Sequence, residues 1–243
     1  MVSIKGVSKT YGRKQVLAVD SLSLEIKEGE IFGFIGPNGA GKTTTIKMLT
    51  GILPLDEGSI SIDGVDIVKN PVEAKKRLGY VPDNPDIYER LTGIEYLEFI
   101  GDVYGVPSTE RRERINKYMT MFEMDRAFND QIKSYSHGMR QKLLITGALL
   151  HKPKLWVLDE PLTGLDPRSS FLLKEQMQEH KKDGNSVFFS THILEVAEKL
   201  CDRIGIINKG KLVLVGTIEE LKDKAAKNTS LEDVFMSITS QEG

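Results

Sequence analysis

Ile31-Phe32-Gly33-Phe34-Ile35-Gly36-Pro37-Asn38-Gly39-Ala40-Gly41-Lys42-Thr43 is the stretch on which the reading of this chain turns. Its first five residues are an apolar run of strand length, and residues 36–43 fit the pattern G-x-x-x-x-G-K-[ST]. From Thr43 to Thr50 neither Gly nor Pro interrupts, and Gly51 closes the segment, which predicts a helix. Strand, glycine-rich turn and helix, in that order, form a cradle for polyphosphate. The glycines let the backbone turn so that successive N–H groups point inward, and the helix adds the positive end of its dipole. Lys42 can neutralise charge on the outer phosphates, and the Thr43 hydroxyl suits Mg²⁺. Gly36, Asn38, Gly39, Ala40, Gly41, Lys42, Thr43 and Thr44 are therefore candidate nucleotide contacts. The competing reading, a merely structural glycine turn, does not account for the strand and helix on either side.

Leu155-Trp156-Val157-Leu158-Asp159-Glu160 is an apolar strand ending in two acids. In a parallel sheet they fall at the carboxyl edge, beside the phosphate loop. Asp159 is suited to hold Mg²⁺ through water, and Glu160 to polarise a water attacking the γ-phosphate. Taken alone, the pair reads better as a strand end made soluble by acids; the phosphate loop changes that balance. Trp156 is read as a core residue.

Outward from these two motifs, Val2, Ile4 and Val7, then Leu22, Leu24 and Ile26, describe a β-rich opening that feeds the strand at Ile31. Further strands are expected at Ser59–Ile62, Leu78–Val81, Leu155–Leu158, Val187–Ser190 and Ile204–Ile207. Helices are expected from Pro71, from Pro167 to about Asp183 and from Ile193 to Leu200. Between them, residues 83–151, punctuated by Pro85 and Pro107, show helical apolar spacing at Ile94, Leu97 and Ile100 and at Ile115, Tyr118, Met119 and Phe122. The fold expected is α/β: residues 1–82 and 152–216 form a mainly parallel core with a small antiparallel β-subdomain. Residues 83–151 are a helical insert and 217–243 a helical tail, all within one domain.

With 243 residues, 40% hydrophobic and 28% charged, disordered, collagen-like and disulfide-scaffold classes are excluded. Lys and Arg number 33 against 35 Asp and Glu, a net charge of −2, so no overall positive field points to nucleic acid. The charged runs Arg111–Arg114 and Lys222–Lys227 are read as solvated helix faces. A lone cysteine, Cys201, and an N-terminus without a signal-peptide pattern suggest the reducing cytosol. A membrane span needs about 20 apolar residues, whereas Leu143–Leu150 is bounded by Lys142 and His151. A transport role would have to borrow its pore.

Tyr135-Ser136-His137-Gly138-Met139-Arg140-Gln141-Lys142 resembles the signature of ATP-binding-cassette (ABC) ATPases. Pro161–Asp166 resembles the loop after that family's catalytic acid, Thr191-His192 its switch histidine, and Tyr11 the aromatic that stacks on adenine. The resemblance spans Tyr11 to His192 in the family's order, and Leu231–Ile238 is similar to an exporter-associated branch. It implies an ATPase using ATP and Mg²⁺, with Glu160 and His192 catalytic. Ser136 and Gly138 would face nucleotide on a second copy or a second ABC ATPase, in a head-to-tail dimer at the cytoplasmic face of the membrane. A multispanning permease would dock near Asp83–Tyr104. Physically, Ser136 can cap a helix and offer hydroxyl, N–H groups and dipole to a phosphate.

Departures from the pattern leave alternatives open. His137 and Met139 replace a glycine and a glutamine, and Asp83 stands where glutamine is common. Asp83 is either a Mg²⁺ ligand or a turn residue before Pro85, and Tyr11 either stacks on the base or fills the β-subdomain core. His137, His151 and His180 are expected at the surface. A soluble ABC ATPase without a transport role and a low-turnover regulatory module are the alternative functions.

Overall fold

The computed structural model describes residues 1–12, 16–84, 87–225 and 230–240. Its first strands, β1 (Val2–Tyr11) and β2 (Val16–Ile26), pair antiparallel with Val2 opposite Ile26, Ile4 opposite Leu24 and Val7 opposite Leu22. These six are all buried, so one apolar face is built from every second residue of β2 and, past a bulge between Ile4 and Val7, from β1. After β3 (Ile31–Ile35) come α1 (Lys42–Leu49), β4 (Glu57–Ile62), β5 (Val65–Asp66), α2 (Pro71–Lys75) and β6 (Leu78–Val81). The helices α3 (Gly93–Val103), α4 (Ser108–Met121) and α5 (His137–Leu149) follow without an intervening strand. Strands and helices then alternate: β7 (Leu155–Asp159), α6 (Pro167–Lys182), β8 (Ser186–Thr191), α7 (Leu194–Leu200) and β9 (Arg203–Asn208). The described chain ends with β10 (Lys211–Gly216), α8 (Ile218–Ala225) and α9 (Leu231–Ser240).

Two sheets result. One has the order β2-β1-β4-β5 and is antiparallel; the other has the order β10-β9-β3-β8-β7-β6 and is parallel except for its edge strand β10. Every residue of β3, β7 and β8 is buried, as befits central strands covered on both faces. Alternation sends their side chains into different cores. Phe32, Phe34, Val157 and Phe188 join Ile46 and Leu49 of α1 and the apolar face of the antiparallel sheet. Trp156, Leu158, Val187 and Phe189 join Leu97, Ile115 and Leu143 of the three helices. Phosphate loop and signature helix are thereby anchored on opposite faces of one sheet.

Three expectations about polar residues need correction. Arg111 is only 8% exposed: its guanidinium donates to the carboxylates of Glu98 and Asp102, each at 2.6 Å, and to the Val106 carbonyl at 3.0 Å. It ties α4 to α3 across Gly101, whose missing side chain makes the room: a Cβ there would lie 2.3 Å from Arg111 Nε. A charged run read linearly does not show the acids waiting on the preceding helix. His180 is 7% exposed because it continues the buried stripe Leu173, Met177, His180 of α6, and its ring meets Trp156 edge-on at 5.7 Å. His151 stacks on Tyr104 at 3.7 Å, with Nε2 3.0 Å from the Leu78 carbonyl. In the second run, Lys222 pairs with Glu198, while residues 226–227 lie outside those described, as does Pro85. Among the described residues no helix is long and apolar enough to cross a membrane.

Candidate active site

The parallel register brings Ile35 level with Thr191 and Asp159 level with Ser190. The chain leaving β3, the acids ending β7 and the histidine after β8 therefore meet at one carboxyl edge. A cavity of about 220 Å³ opens there, with Asn38, Gly39, Lys42, Thr43, Thr44, Asp83 and Glu160 in its wall.

Two glycines are required by contacts distant in sequence. A Cβ on Gly36 would stand 2.5 Å from the Ile207 carbonyl oxygen of β9. Gly41 adopts φ +110°, and a Cβ there would stand 2.6 Å from the Ala18 carbonyl oxygen of β2. Gly41→Ala combines backbone strain with overpacking, together about 2 kcal/mol or more. It is expected to lower the free energy of unfolding by about that amount, read by urea denaturation.

Lys42 is 7% exposed, and its ammonium donates to the carbonyls of Gly36 at 2.7 Å and Pro37 at 3.3 Å. It also stands 3.6 Å from Glu160 Oε1. The other carboxylate oxygen of Glu160 lies 3.0 Å from His192 Nδ1. Glu160 itself has φ +46°, a left-handed backbone that turns its side chain back over the loop. Its acid is thus held between a buried cation and an exposed imidazole.

Asp159 is 1% exposed. Its Oδ1 accepts a hydrogen bond of 2.5 Å from Ser190 Oγ, whereas Oδ2 is buried with no partner among the described residues. An orphaned carboxylate oxygen at the sheet edge from which the phosphate loop departs fits a divalent cation. Among the described residues no three His, Cys, Asp or Glu converge on a metal position, so water and phosphate oxygens would complete the shell, as Mg²⁺ prefers. Burial, then the charges of Asp159 and Asp83, hold the Tyr80 phenol well above its usual range.

Tyr11, at the end of β1, is 40% exposed, and its hydroxyl lies 3.5 Å from Thr44 Oγ1; it does not fill the β-subdomain core. Ser136 is the N-cap of α5 and accepts from the Met139 N–H at 3.2 Å. The cap leaves it exposed. Asp166 caps α6 through the Ser169 N–H at 2.9 Å and pairs with Lys142 at 3.1 Å. The bonds from Ser169, then Lys142, hold its carboxyl far below the ordinary range. Ser136, Gly138 and Asp166 are not in the cavity wall but share a second cluster, where the His137 ring covers Gly164 and Gly138 faces the Gly164 carbonyl. Sequence reasoning missed Ser190. No motif marks it; only the pairing of β8 with β7 sets it opposite Asp159.

A family model described as ABC transporter matches residues 19–163. The chain is 37% identical to the linearmycin resistance ATP-binding protein LnrL of Bacillus subtilis, over 96% of this chain and 74% of that protein. It superposes on a solved ATP-binding subunit of an ABC transporter with a TM-score of 0.93 at 32% identity, covering 98% and 99% of the two chains. A dimeric post-hydrolysis structure of the cassette MJ0796 bound to ADP and Pi matches with a TM-score of 0.81 at 27% identity, covering 89% of this chain and 98% of that one.

Proposed function

This chain belongs to the ABC transporter family of ATP-binding subunits and is an ATPase; from that premise we propose that it drives export through a separate membrane permease, as a Mg²⁺-dependent head-to-tail dimer. The observation that carries the catalytic part is the position of Glu160, whose carboxylate lies 3.6 Å from Lys42 and 3.0 Å from His192 at the mouth of the phosphate loop. The loop N–H groups and Lys42 bind the phosphates, Tyr11 stacks on the base, and Thr43, Asp159 Oδ2 and Asp83 would hold Mg²⁺. The metal, when bound, neutralises charge on the phosphate oxygens. Glu160 accepts a hydrogen bond from the attacking water, and His192 fixes the direction of the carboxylate. Phosphoryl transfer needs little more than such positioning and charge stabilisation.

Ser136 and Gly138 lie outside the cavity wall, which favours their use on nucleotide held by a second copy. A dimeric relative supports that arrangement. For the permease, the helical region offers a groove of about 610 Å³ lined by Tyr88, Glu89, Arg90, Leu91 and Phe99. Tyr88 is 63% and Phe99 44% exposed, their rings packed edge-to-face at 5.9 Å. Two exposed aromatics in one groove fit an apolar segment of a partner. Export rests on the likeness of Leu231–Ile238 to the exporter-associated branch and on a relative named for resistance. A tagged chain isolated from its native membranes, on their cytoplasmic face, is expected to carry a multispanning protein, and Phe99→Glu to reduce its recovery at least tenfold. Recovery of no such protein with the unaltered chain sinks the proposal.

A further inference from the structure

We infer that Ser190 is a positioning residue of the ATPase site: its hydroxyl selects which oxygen of Asp159 faces the metal and holds the left-handed backbone of Glu160. The inference rests on the reading of Asp159 as a Mg²⁺ ligand. A serine hydroxyl has one proton and two lone pairs. The Glu160 N–H lies 3.0 Å from Ser190 Oγ and can only donate, so it occupies a lone pair. The proton is left for Asp159 Oδ1, 2.5 Å away. One buried atom, in a residue of 0% exposure, thereby engages both adjacent acids, through the side chain of the first and the main chain of the second.

Two consequences follow from the chemistry. Asp159 Oδ1 is occupied, so the carboxylate cannot rotate freely, and Oδ2, without a partner among the described residues, is the oxygen presented to a cation. Glu160 keeps φ +46°, a left-handed conformation that non-glycine residues rarely adopt, because its N–H finds a partner there. The backbone turn is completed by the Thr163 N–H, which donates to the Glu160 carbonyl at 3.1 Å. Ser190 touches neither nucleotide nor attacking water in this scheme. Its influence passes through the two acids, as that of residues behind a metal ligand commonly does.

The test is calorimetric titration of a non-hydrolysable ATP analogue, with EDTA and with Mg²⁺, on the full chain and on Ser190→Ala and Ser190→Thr. The metal-free affinities are expected to agree within twofold. The gain in affinity on adding Mg²⁺ is expected to fall about tenfold in Ser190→Ala and to be restored by Ser190→Thr, which keeps the hydroxyl. With ATP, kcat should fall in the alanine variant while the KM measured at saturating Mg²⁺ changes little. Ser190→Cys, close in volume but a weak donor, replaces alanine if that variant does not accumulate in folded form. An undiminished Mg²⁺ gain in Ser190→Ala or its cysteine substitute overturns the inference and leaves Asp159 as ligand intact. Loss of the gain in Ser190→Thr as well reduces Ser190 to a packing residue. No Mg²⁺ gain in the unaltered chain rejects the reading of Asp159 itself.

Discussion

Glu160→Gln is expected to lower steady-state ATP hydrolysis by about a thousandfold, in the range seen when a positioned acid–base group is removed. That corresponds to about 4 kcal/mol of transition-state stabilisation. The amide keeps the shape of the acid but loses the charge that faces Lys42 at 3.6 Å and the acceptor strength that a polarised water needs. Nothing in the phosphate loop changes, so ATP should still bind. With binding intact and hydrolysis arrested, Mg·ATP is expected to convert the variant to a dimer, detected by light scattering in line with size exclusion. Phosphate release gives the rate. A rate within threefold of the unaltered chain removes Glu160 from its role, and a slow variant that stays monomeric at saturating Mg·ATP removes the head-to-tail arrangement.

The second large effect concerns acid. Burial, the leading cause for both, pushes the His151 and His180 imidazoles from 6.5 down to about 4 in the folded chain. Neutral folded rings and protonated unfolded ones mean that unfolding takes up protons between about pH 6.5 and 4. Stability is then complete above the unfolded value and drains as pH falls through that window. By pH 5 each ring costs about 2 kcal/mol relative to pH 7.5. Urea unfolding at the two pH values should show this loss, and His180→Phe should recover about half of it. Phenylalanine keeps the edge-on contact with Trp156 and has no proton to gain, and the ring Nε2 it removes is a buried atom without a partner among the described residues. An equal loss in the variant would mean that His180 is not the buried titrating group.

The parts of the site that are contiguous in the chain were legible beforehand. Residues 36–43 carry their own geometry, since a glycine turn between strand and helix aims its N–H groups at whatever is anionic. The acids at 159–160 were legible as a pair, although their partners were not. Glu160 meets His192 across 32 positions at 3.0 Å, and Lys42 across a still longer separation; resemblance to a family suggested the first, and no periodicity in the chain announces either. The errors share a cause. Residue type places Arg111 and His180 at the surface, and each is overruled by the element packed against it: the acids of α3 in one case, Trp156 in the other.

What the sequence by itself determined is the strand-loop-helix phosphate cradle, the alternation of strands and helices, and the helical stretch between residues 83 and 151. Each of these is written in spacings of a few residues, where sterics and hydrogen bonding act along the chain. What only the tertiary structure decided is register. Asp159 opposite Ser190 and Ile35 opposite Thr191 are pairings across strands, set by how whole apolar faces pack. A shift of one residue would turn each of those side chains to the other face.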